Sequence, residues 1–121
     1  MFKEVLQKAL QETEGCFGVL IMGTDGIAVE KVWQPEGTEA NLDVAVAEYT
    51  SLVQGVKRTN SEIGLGRLQE VTLTTDSGIF ILRFVSEDYF IAMALSIDGN
   101  FGRGRYELRR AELLLEKELA I

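Results

Sequence analysis

The chain opens on FKEVLQKALQET, where Phe2, Val5, Leu6, Ala9 and Leu10 recur at spacings of three and four. That period places them on one stripe of an amphipathic helix running to about Thr13, and Gly15 stops it. The pattern then changes. CFGVLIMG is apolar on both faces and predicts a strand inside a sheet, whereas IAVEKVW carries Glu30 and Lys31 and predicts an exposed edge strand. Thr24-Asp25-Gly26 lies between them, and a D-G pair tolerates the positive φ that a hairpin turn demands.

QPEGTEA, with the only proline, reads as a loop. From about Asn41 to Ile63 the three-and-four spacing returns through Leu42, Ala45, Val46, Tyr49, Leu52, Val53, Val56 and Ile63, a long helix ending at Gly64. Three strands follow. RLQEVTLTT alternates at Val71–Thr74, so one of its faces is wet. GIFILRFV is apolar on both faces except at Arg83. In YFIAMALS the face bearing Phe90 continues as Ala92, Ala94 and Ser96, small enough for a helix backbone to approach. Tight turns at Asp76-Ser77-Gly78 and Ser86-Glu87-Asp88 join them, and a last helix runs from about Gly104 to Ala120. The order is α-β-β-α-β-β-β-α. Short turns make the five-stranded sheet antiparallel, with helices on both faces, an α+β class.

Composition narrows the function. A length of 121 residues with 46% hydrophobic and 26% charged positions suits one globular domain spanning 1–121. No apolar run reaches membrane-spanning length, and the charged opening helix predicts no secretory leader. A net charge of −7 opposes nucleic acid. Histidine is absent, which removes the usual general base, and no metal-ligand spacing surrounds the single cysteine, Cys16. No cofactor or metal is expected, and a reducing cytoplasm is the expected location. Cys16 reads as a small core residue, and Glu87-Asp88 as solvated turn acids.

One stretch invites a nucleotide. GNFGRGRY, Gly99–Tyr106, is a step from the G-x-x-x-x-G-K-[ST] phosphate loop. However, Arg105 and Tyr106 fill the positions that need a compact ammonium and a small hydroxyl, and no strand follows to hold magnesium. The glycines are read as bends in a strand-to-helix connection. Arg103, Arg105, Arg109 and Arg110 gather where a helix dipole disfavours cations. Two accounts stand: pairing with Glu107, Glu112 and the Glu87-Asp88 turn, or reception of an acidic patch on a partner.

LDVAVAEYTSLVQGVKRTNSEIG, VTLTTDSGIFILRFV and YFIAMALSIDGNFGRGRYELRRAELLLEKEL together resemble the Roadblock/dynein-light-chain family, whose fold is Roadblock/profilin-like. The resemblance covers nearly the whole chain and rests on element order, with Asn100-Phe101-Gly102 at the Asn-x-Gly turn before the last helix. It implies a dimer, homotypic or heterotypic, in which middle helices pack together and the following strands join two sheets. The implied seam is Ala45, Tyr49, Leu52, Val53 and Val56, with Val71 and Leu73 on the pairing strand. It implies a non-catalytic regulator or scaffold of a small Ras-like GTPase, similar to the bacterial MglB type, in which activation is associated with reshaping the GTPase. Arg58, Arg103, Arg105 and Arg109 are the candidate partner-binding residues, and a finger role for Arg58 or Arg105 is the lesser version. The alternative is a PAS-like small-molecule sensor, which would keep an enclosed pocket between helix and sheet.

Overall fold

A computed structural model describes residues 2–34 and 39–118, without the side chains of 39–44. The expected proline loop and Leu42 therefore lie largely outside the described residues. The elements are α1 (Phe2–Glu12), β1 (Cys16–Gly23), β2 (Ala28–Trp33), α2 (Glu39–Glu62), β3 (Glu70–Thr74), β4 (Gly78–Phe84), β5 (Tyr89–Ser96) and α3 (Phe101–Glu118). All neighbouring strands are antiparallel, in the order β2-β1-β5-β4-β3. The two strands apolar on both faces, β1 and β4, are interior, and the two mixed ones, β2 and β3, are edges.

Strand alternation divides the apolar material between two layers. Val19, Ile21, Ile81, Ile91, Met93 and Leu95 face α1 and α3, packing with Leu6, Leu10, Leu108 and Leu115. Leu20, Met22, Phe80, Leu82, Phe84 and Phe90 face α2, packing with Val46 and Val53. The space a sensor would leave open is filled by these rings and by Tyr49, which meets Phe80 edge-on at 5.2 Å between centroids.

Two local expectations change. The last helix begins at Phe101, three residues before Gly104, because Asn100 caps it: its Oδ1 accepts the Arg103 N–H at 3.0 Å. The close helix approach also falls on the other face from the small Ala92–Ala94 row, which aromatic rings cover. It is α3 that comes close, since a side chain at Gly104 would begin 3.0 Å from Met93 Sδ. At the α1–β1 corner Gly15 has φ +84° and its missing side chain would collide with the Gly99 backbone, so glycine is needed twice over. Among the described residues no helix is long and apolar enough to cross a membrane.

Candidate functional site

Two surfaces hold the residues singled out by sequence. The first is the long helix α2. Its inner side is tied down: Val46 and Val53 are buried, and the Thr50 hydroxyl donates to the Val46 carbonyl at 2.9 Å. Gln54 donates to the Thr24 carbonyl at 3.1 Å, and Lys57 reaches the Glu87 carbonyl at 3.3 Å and lies over the Phe84 ring. Ala45, Tyr49, Leu52 and Val56, spaced by four, three and four, form a separate flank beside that inner side. Leu52 is 55% exposed there, and Ile63 beyond the helix end is 63% exposed.

This flank looks toward β3. Tyr49, Leu73 and Phe80 line an open apolar cleft of about 260 Å³, and Val71 and Leu73 are half-buried under the same layer. Of the seven seam candidates, six therefore fall on one strip running from α2 to the β3 edge. Val53 does not, because it points into its own sheet and is 3% exposed. Arg58 is exposed on the opposite flank of the rod and has no ion-pair partner among the described residues.

The second surface is α3, on the other side of the sheet. Here the arginines are held by carboxylates of the same chain. Arg103 lies 2.7 Å from Glu107 and 3.6 Å from Glu12, and Arg110 lies 3.4 Å from Glu107. The Arg103–Glu107 contact is an ion pair rather than a well-directed hydrogen bond, since Glu107 Oε2 lacks a hydrogen-bond partner of good geometry. Arg109 and Arg83 both reach Glu112, at 2.9 and 2.7 Å, while Arg83 and Arg105 both reach Glu70, at 3.2 and 2.8 Å. Glu107 and Glu112 are buried, at 2% and 4% exposure, and each is closed over by guanidiniums.

Glu70 and Arg83 are the members that residue patterns alone did not single out. A signal existed, for the Asp76-Ser77-Gly78 turn sets the β3–β4 register that puts Glu70 opposite Arg83. The Glu87-Asp88 turn is not a partner of the α3 arginines; Glu87 pairs with Lys57 instead, at 3.8 Å. Burial works against the Arg83 cation, yet hydrogen bonds and charge from Glu112, then from Glu70, outweigh it and hold the pKa above the ordinary guanidinium value. Cys16 is buried, and that burial pushes its thiol up to about 12, so it is no nucleophile. The Gly99–Tyr106 stretch is a capped helix start rather than a phosphate cradle.

A Roadblock/LC7 domain model matches residues 2–95, and the chain belongs to that family. Among solved structures, MglC from Myxococcus xanthus is 33% identical with a TM-score of 0.69, over 97% of this chain and 98% of that one. MglB from Myxococcus xanthus is 11% identical with a TM-score of 0.86, over 98% and 94%. An MglB with tetrameric arrangement is 18% identical with a TM-score of 0.85, over 99% and 90%. Sequence identity is thus higher toward MglC and backbone overlap higher toward the MglB chains. No curated protein matches this chain.

Proposed function

We propose that this chain is a dimeric, non-catalytic regulator or scaffold acting on a small Ras-like GTPase. One observation carries the dimer. The flank Ala45–Tyr49–Leu52–Val56 is only partly covered beside β3, with Leu52 exposed, and the outer edge of β3 is a row of backbone groups without a strand neighbour among the described residues. A second copy related by a two-fold axis would cover the flank with its own and extend the sheet across both β3 edges. Membership of the Roadblock/LC7 family supports the GTPase half of the reading, since the family's scaffolds and regulators act in such pathways. The chain would act by binding and reshaping its partner, as the resemblance to the MglB type implies.

The test uses the purified chain and small Ras-like GTPases from the same cell. Sedimentation is expected to give twice the chain mass. Co-elution with the GTPase in one nucleotide state, with a changed hydrolysis rate, is the expected partner result. A monomer at high concentration would remove the seam, and absence of a complex in both nucleotide states would remove the GTPase.

A further inference from the structure

The outward face of α3 has an arrangement that neither the fold nor the seam uses. Tyr106 and Leu113 stand two turns apart, and they are 58% and 49% exposed. Positions seven apart share a side of a helix, so the two stand on one line roughly 10 Å apart, with Arg109 and Arg110 at the turn between them. Arg103 and Arg110, also seven apart, flank the line on one side, and Arg105 and Arg109 flank it on the other.

The charges are layered. The carboxylates of Glu107 and Glu112 lie beneath the helix at 2% and 5% side-chain exposure, whereas the four arginines are 39–53% exposed. A buried acid row under an exposed guanidinium row leaves a cationic surface on a chain whose net charge is −7. Each guanidinium is held in place, either by its acid or by stacking, as Arg103 does on Tyr106 at 5.2 Å and Arg105 on Phe101 at 5.7 Å. A guanidinium has five N–H groups, and the intrachain pairs occupy only part of each fork.

This placement has a local cost. The first turn of α3 carries no acid, and arginines at 103 and 105 oppose the helix dipole. Buried ion pairs are also weak sources of stability compared with apolar packing. Fold stability is therefore a poor explanation for the row.

We infer that this face of α3 is a docking surface for an acidic amphipathic helix of a partner protein. An apolar line with guanidiniums on both sides is complemented by an apolar stripe with carboxylates on both sides. Preset guanidiniums favour fixed carboxylates, which they bind in forked geometry. An anionic membrane is disfavoured relative to a short acidic helix, because the chain's net negative charge faces far more charge on an extended negative surface. The inference is independent of the GTPase reading, and it uses the sheet face opposite the α2 seam.

The test places a benzophenone amino acid at position 106 of the full chain in its native cell and identifies the crosslinked peptide by mass spectrometry. That peptide is then titrated against purified protein by fluorescence anisotropy. The expected adduct is an acidic segment with apolar residues at helical spacing. Its affinity is expected to fall at least about tenfold with Leu113→Asp at unchanged melting temperature, and by a similar factor at high salt. Leu113→Met should retain binding. An adduct only with a second copy of the chain, with a basic segment or with phospholipid would overturn the inference, as would no adduct. Binding lost with Leu52→Glu but kept with Leu113→Asp would assign the partner to the other face and equally overturn it.

Discussion

On one face of the sheet, α1 and α3 bury a layer of aliphatic side chains, and α3 approaches so closely that a side chain at position 104 would begin 3.0 Å from Met93 Sδ. On the other face a single helix, α2, rests on aromatic rings and leaves Leu52 half in solvent beside an open strand edge. The sequence patterns of the helices already differ. The apolar positions of α1 form one narrow stripe that its own sheet covers, while those of α2 form an inner row and a second flank. A lone chain covers one side of a helix, so a second flank has no occupant within the molecule. The closed face buries Glu107 and Glu112 beneath half-exposed arginines; the open face leaves Leu52 in solvent, on the flank proposed above for association.

The sharpest way to break this comparison is to place the same charge on adjacent residues of α2. Val53→Glu should destabilise the chain itself by about 3–5 kcal/mol in urea denaturation, because it buries a carboxylate with no partner. Leu52→Glu should change chain stability by no more than about 0.5 kcal/mol but convert the dimer to monomer in sedimentation. Equal behaviour of the two variants would show that α2 has no distinct outer flank. On the closed face, Arg83→Ala leaves the 4%-exposed Glu112 with only its Arg109 pair and should cost about 3 kcal/mol, read as a lower urea midpoint.

A pH series tests the interior of the closed face. Cys16 keeps its proton to about 12 when folded, against an ordinary 9.0 in the unfolded chain. Between those values the unfolded chain binds fewer protons, so stability falls as pH rises above the lower one. Near pH 10.5 the wild type should have lost about 1–2 kcal/mol more, relative to neutral pH, than Cys16→Ala does. Parallel pH curves would show the thiol is not protected. A small effect is expected of Arg105→Glu, which exchanges the half-exposed Arg105–Glu70 pair for a repulsion of about 1 kcal/mol at low salt. A large melting shift there would mean that Arg105 is a structural residue first.

The order of elements was legible because each depends on local chemistry. The Asp25-Gly26 turn, the doubly apolar β1 and β4, and the mixed edge strands read directly as hairpins, interior and rim. The start of α3 was misread because Gly102 and Gly104 suggested a late beginning, while the deciding group was the Asn100 side chain reaching Arg103. Four of the five seam candidates on α2 share a flank, but Val53 was grouped with them because periodicity says which residues are apolar and not which way the helix is turned. The arginine row was visible. The anchor of Arg105, Glu70, was not singled out, because that pairing spans 35 positions and depends on how α3 lies across the sheet.

Periodicity, turn residues and charge are nearest-neighbour properties, so the chain alone determined its eight elements, their antiparallel pairing and the presence of more apolar surface on α2 than one sheet can cover. Tertiary structure decided the rotation of α2, the face on which a helix comes within contact of the sheet, and the burial of Glu107 and Glu112 beneath their arginines. Those outcomes depend on distances between residues far apart in sequence, and such distances exist only once the sheet has formed and the helices have settled on it.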